Sequence, residues 1–135
     1  MATIKVIIIL GSGSDEEFSN PIAKTLENLG IPFERRVASA HRTPSKLLEI
    51  LRENENLEQV VYITVAGLSN ALSGIVDANT VHPAIACPPP SDRFAGVDIF
   101  SSLRMPRGVA PLVVLEPENA ALAAAKILSG IDSEL

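Results

Sequence analysis

Three short segments carry side chains that can do chemistry on a small phosphorylated molecule. Ser39-Ala40-His41-Arg42-Thr43-Pro44 sets an imidazole beside a guanidinium, just ahead of a helix start. His41 is the residue type best suited to move a proton near neutral pH. The positive end of the following helix favours its neutral form, the one a general base needs. Arg42 is a fixed cation whose planar fork matches phosphate oxygens. Taken alone, such a histidine is more often a surface residue beside a solvated arginine. Its place after a strand, at the expected ligand face, favours the functional role.

Gly11-Ser12-Gly13-Ser14-Asp15 follows an apolar run and precedes a helical stretch. The glycines permit a tight turn with exposed N–H groups, at a helix end where anions are favoured. Ser12 and Ser14 add donors for phosphate oxygens, and Asp15 can accept from ribose hydroxyls. The competing reading is an ordinary strand-to-helix turn with Asp15 as N-cap, and the loop is neither a dinucleotide fingerprint nor a P-loop. In the third segment, Ala66-Gly67-Leu68-Ser69-Asn70, Gly67 would let backbone approach a ligand while Ser69 and Asn70 donate hydrogen bonds. Ser69 is also expected to cap the next helix.

Other reactive side chains fit plainer roles. His82, before Pro83, reads as structural or surface, and Cys87 as a buried small hydrophobe. Glu16 and Glu17 suit the solvated first turn of a helix. No metal-ligand cluster is visible.

The elements that must position these segments repeat in a strand–helix rhythm. Ile4 to Leu10 is a nearly unbroken β-branched run, expected of a strand buried on both faces. A helix follows to about Leu29, with Gly30 suited to its C-terminal cap. Phe33 to Val37 is a short strand. Thr43 and Pro44 start a helix, as capping hydroxyl and first-turn proline, with Leu47, Leu48 and Leu51 as its apolar stripe. Val60 to Val65 is the third strand, and Ser69 to about Asp77 the third helix. Ala84 to Cys87 is strand four, Pro88 to Gly96 irregular, Leu112 to Leu115 strand five, and Pro117 to Leu128 the last helix. This pattern predicts an α/β fold: a single domain over residues 1–135, a flavodoxin-like three-layer sandwich with a five-stranded parallel sheet. Ligands of such sheets bind outside the carboxyl ends of the strands, where strand order reverses.

Composition agrees. The 135 residues are 47% hydrophobic and 20% charged, the balance of a globular domain, with no Trp. A net charge of −5 without a basic stripe argues against nucleic acid. One cysteine cannot form an internal disulfide, no apolar run reaches membrane-spanning length, and no signal-peptide pattern opens the chain. A cytoplasmic protein without a membrane partner is expected.

In order and spacing, the GSGSD, SAHRTP and AGLSNALSG segments resemble the PurE family of phosphoribosylaminoimidazole carboxylases. The likeness continues through CPPPSDRFAGVDIFSSLRMP and EPENAALAAAKIL, covering nearly the whole chain. The family contains class I mutases, which move a carboxylate from N5 to C4 of the ribonucleotide, converting N5-CAIR to CAIR. Its class II members carboxylate 5-aminoimidazole ribonucleotide (AIR) directly with carbon dioxide. Mutases carry an AHLPG-type segment after strand three; SNALSG, CPPPSD and SSLRMP are similar to the direct carboxylases instead. Class II enzymes usually read SAHK and AGRSN, where this chain has Arg42 and Leu68. Arg42 matches the mutase-like SAHR version, whose arginine contacts the substrate phosphate.

The resemblance implies a carboxylation of AIR in purine biosynthesis with His41 as the catalytic proton-transfer residue. It implies substrate contacts from Ser12, Ser14, Asp15, Ser39 and Arg42, with Ser69 near the carbon dioxide or carboxylate and Gly67 and Asn70 as further contacts. Arg42 would supply the phosphate cation that Leu68 cannot. Carbon dioxide is the implied co-substrate, with no metal, biotin or ATP. A homo-oligomer, octamer or tetramer, is implied as well; many relatives continue beyond the position of Leu135 with a helix that packs on neighbouring subunits. The alternatives are the N5-CAIR mutase and, from another class, a non-catalytic nucleotide- or flavin-binding module.

Overall fold

The computed structural model describes residues 3–131. Its sheet has five parallel strands in the order β2-β1-β3-β4-β5: β1 (Ile4–Leu10), β2 (Phe33–Val37), β3 (Gln59–Val65), β4 (Ala84–Ala86) and β5 (Leu112–Val113). The β-branched run of β1 lies between β2 and β3, so both its faces are covered. Val6, Ile8 and Leu10 meet one helical layer, while Ile7 and Ile9 meet the other, as a period of two requires. Helices α1 (Glu16–Asn28) and α5 (Pro117–Ser129) cover the first face through Ile22, Leu26, Ala120, Ala124 and Leu128. Helices α2 (Pro44–Asn54) and α3 (Leu72–Ala78) cover the second through Leu47, Ile50, Leu51, Leu72 and Val76. The result is the expected three-layer sandwich.

Several boundaries follow from local chemistry. Helix α1 ends at a left-handed Gly30 (φ 71), with Gly30 N donating to Glu27 O at 3.0 Å and Ile31 N to Leu26 O at 3.0 Å. That paired closure is the Schellman motif, and Ile31 and Leu26 share one core cluster as the motif favours. Pro44 starts α2, but Thr43 does not cap it; its hydroxyl turns back to accept from Ser39 N at 2.9 Å. Helix α3 begins at Leu72, three residues later than Ser69, because Asn70 is the residue that bonds its first turn. The expected fifth strand stops at Val113, although Val114 N still reaches Ala86 O at 2.9 Å. Beyond the triple proline, Arg93–Ile99 forms a distorted 3-10 segment leading into a short helix not anticipated from sequence, α4 (Phe100–Leu103).

The chain leaves β1 to one side for β2 and returns to the other for β3. Strand order therefore reverses between β1 and β3, and the loops after those strands flank the reversal. They approach closely: Gly11 N donates to Val65 O at 2.9 Å, and a Cβ on Gly11 would lie 3.1 Å from the Ala66 Cβ. Gly11 thus lets the two loops approach closely at the centre of the sheet's carboxyl end, where a side chain would press on Ala66.

Candidate active site

One open cleft of about 1120 Å³ sits over this reversal. It collects Ser12, Ser14, Asp15, Ser39, His41, Arg42, Gly67 and Ser69, eight of the nine expected site residues, from the loops after β1, β2 and β3.

The first wall is the Gly11–Asp15 loop. It closes into a 3-10 turn over Gly13–Asp15, with Ser12 as cap: Ser14 N donates to Ser12 Oγ at 3.3 Å, and the two hydroxyls are 3.0 Å apart. Asp15 precedes α1 but makes no side-chain cap bond to it, so its carboxylate is left for the cleft. Burial raises the Asp15 carboxyl above its ordinary value, with partial relief from the Ser12 backbone amide.

The second wall is the turn between β2 and α2. Arg42 N donates to Ser39 Oγ at 3.1 Å and Thr43 N to Ser39 O at 2.9 Å. With Thr43 Oγ1 bonded back to Ser39, the turn is fixed at both ends, and the exposed His41 and Arg42 side chains project from a rigid base. The imidazole leans across the cleft: His41 Nε2 lies 3.0 Å from Ser69 O. A carbonyl only accepts, so the neutral ring carries its proton on Nε2 and keeps a lone pair on Nδ1.

The third wall is the loop after β3. Its left-handed residue is Leu68 (φ 58), not Gly67, a conformation costing a leucine roughly 1–2 kcal/mol. Leu68 is 62% exposed and lines the cleft. Two serines from α4 anchor the loop. The Ser101 hydroxyl accepts from Asn70 N at 2.9 Å and lies 3.0 Å from Leu68 O, while Asn70 Nδ2 donates to Ser102 Oγ at 2.9 Å.

Asn70 departs from the expected substrate contact. It is only 6% exposed, and its amide is spent on Ser73 Oγ, Ser102 Oγ, Leu72 N and Ser73 N, so it does not line the cleft. Ser69, expected to cap α3, instead offers its carbonyl to His41. A fourth wall lies outside the residues expected from sequence: Ser91, Asp92 and Arg93, in the segment after β4, also line the cleft. The rule that placed the other walls, that ligand loops follow strands, applies equally to this one.

The remaining reactive groups stay outside. His82 stacks at a tilt on Tyr62, with ring centroids 6.5 Å apart, before β4. Cys87 is fully buried, and burial pushes its thiol up to about 12, which makes it an inert hydrophobe. No described helix is long and apolar enough to cross a membrane.

Fold and site together define a flavodoxin-like α/β domain with an open cleft over its strand-order reversal. The family described as AIR carboxylase matches residues 5–135. The chain is 61% identical over 126 residues to the phosphoribosylaminoimidazole carboxylase of Archaeoglobus fulgidus, covering 93% of this chain and 69% of that protein. It is 53% identical over 131 residues to the enzyme of the same name from Treponema denticola, covering 96% of this chain and 82% of that one. The solved structure of Treponema denticola PurE superposes with a TM-score of 0.94 at 52% identity, covering 98% of this chain and 84% of that chain. The chain belongs to the AIR carboxylase family, enzymes of purine biosynthesis.

Proposed function

We propose that this protein carboxylates AIR directly with carbon dioxide to give 4-carboxy-AIR (CAIR), with His41 moving the proton at C4. The observation that carries the reading is the imidazole fixed on Ser69 O at 3.0 Å in the cleft that also presents the Ser12–Asp15 loop and Arg42.

The aminoimidazole ring is an enamine, so its C4 is already nucleophilic. C4 attacks the carbon of carbon dioxide, a C–C bond forms, and one C=O electron pair moves onto oxygen. C4 then bears both hydrogen and carboxylate. Transfer of that proton to His41 Nδ1 returns the C–H electron pair to the ring and restores aromaticity. Ring nucleophilicity makes metal, biotin and ATP unnecessary to this step. Ser12, Ser14, Asp15, Ser39 and Arg42 hold the ribose phosphate, and Gly67 and Ser69 adjoin the reacting carbon. Holding two small reactants together supplies much of the acceleration, up to about 7–11 kcal/mol in well-oriented cases.

The SNALSG segment and the names of the carboxylase relatives favour direct carboxylation. Arg42, in its mutase-like SAHR setting, is the one feature that favours conversion of N5-CAIR to CAIR. We place the enzyme in the cytoplasm, as a homo-oligomer: segment 93–103 turns Phe94, Val97, Phe100 and Leu103 to its surface, an apolar face suited to a second copy.

The test is CAIR formation from AIR and bicarbonate without ATP, with N5-CAIR assayed in parallel. Efficient use of AIR supports the direct carboxylase. Turnover of N5-CAIR alone replaces it with the mutase, and silence with both substrates leaves a binding module.

A further inference from the structure

We propose that Arg93 recognises the carboxylate attached at C4, and so sets the preference of the cleft for carboxylated over uncarboxylated ribonucleotide. The inference rests on the direct-carboxylase reading above and goes beyond it by giving the cleft a second, opposed anion site.

Arg42 follows β2 and Arg93 follows β4, and both line the one cleft. In the order β2-β1-β3-β4-β5 those strands are three spacings apart, about 14 Å. Among the described residues, neither arginine is held in an ion pair, so both guanidinium groups are free for a ligand. Between them stands the imidazole of His41, rooted after β2 but fixed on Ser69 O of the loop after β3. Across the sheet the order is therefore cation, proton-transfer group, cation.

CAIR presents the matching order: phosphate, ribose, ring with its reacting C4, and the carboxylate on that carbon. With the phosphate at Arg42 and C4 at His41, the carboxylate points to the wall after β4, where Arg93 is the cation. Asp92 lines the same wall and supplies an acceptor for the ring amine that neighbours the carboxylate.

The backbone at this point is unusual. Ser91 Oγ accepts from Arg93 N at 3.1 Å, and Phe94, Ala95 and Gly96 then run left-handed, with φ of 51, 55 and 78. Two consecutive non-glycine residues in that region are strained, a condition that clusters at functional sites. Here the strain turns the chain immediately after Arg93.

The experiment is steady-state kinetics in both directions, KM for AIR in carboxylation and KM for CAIR in decarboxylation. Arg93→Gln should raise KM for CAIR roughly tenfold or more, the scale of a lost charge-assisted contact, and leave KM for AIR nearly unchanged. Arg93→Lys, which keeps the charge, should recover part of the loss. Arg42→Gln should raise both KM values together. Equal effects of Arg93→Gln on AIR and CAIR, or no effect on either, overturn the proposal. A wild-type enzyme that neither carboxylates AIR nor decarboxylates CAIR overturns the direct-carboxylase reading beneath it, a result separable from both.

Discussion

The side-chain amide of Asn70 donates to Ser102 Oγ at 2.9 Å, tying the loop after β3 to a helix that begins thirty residues further along the chain. The same amide bonds the first turn of α3, and its neighbour Ser69 holds His41. A buried residue that does not line the cleft thus supports the orientation of the imidazole. Asn70→Ala leaves several buried polar groups unpaired and should cost about 2–3 kcal/mol, read as a lower urea midpoint. Turnover should fall by roughly tenfold to a hundredfold as the Ser69 carbonyl shifts. Unchanged kcat in a destabilised variant would separate Asn70 from the site.

His41→Asn keeps a polar side chain in the cleft but removes the basic nitrogen and the Nε2 donor to Ser69 O. CAIR formation should drop by about 10²–10⁴-fold while AIR binding, measured by calorimetry, persists. Near-normal turnover would end the assignment of proton transfer to this residue.

Arg42 is the cation assigned to the phosphate, and exposed Leu68 lines the same cleft. Arg42→Gln should raise KM for AIR by roughly tenfold or more. Adding Leu68→Arg to that variant should restore part of the affinity, because position 68 lines the same cleft with its side chain in the open. No recovery would mean that position 68 does not reach the phosphate.

Asp15 offers a pH signature. Its carboxyl is raised above the ordinary value of 3.8 chiefly by burial. The folded state then binds its proton more tightly than the unfolded chain does. Stability from this group is full below pH 3.8 and declines as pH rises through the folded-state value. Asp15→Asn should therefore stabilise the protein at pH 7 against denaturant, with the gain shrinking as pH falls through the acidic range, while KM for AIR rises. A gain that is independent of pH would contradict burial as the cause.

The apolar surface of segment 93–103 gives a prediction about assembly. Phe100, 61% exposed, should lie within a contact between copies. Phe100→Glu should shift sedimentation towards smaller species; an unchanged distribution would remove this face from the interface.

Sequence by itself determined the architecture and three of the four walls. The β-branched run of Ile4 to Leu10 specifies a strand buried on both faces, and Gly30 and Pro44 mark helix boundaries through their fixed backbone preferences. Because ligand loops follow strands in such sheets, His41, Arg42 and the Ser12–Asp15 loop were legible as one site before any contact was known. Tertiary structure decided what each polar group does. Ser69, Asn70 and Thr43 are all residue types that cap helices or bind ligands, and local sequence gives each the same options. Only the packing of α4 against the loop after β3 buries Asn70, commits its amide to Ser102 and leaves the Ser69 carbonyl facing His41. Arg93 lies in a loop that the same rule marks, since strand four precedes it, but only the folded chain shows the left-handed run of Phe94, Ala95 and Gly96 after it and the cleft it shares with Arg42. Local backbone preferences act within a few residues, whereas hydrogen-bond partners thirty residues apart meet only once the sheet has brought their loops to the same end.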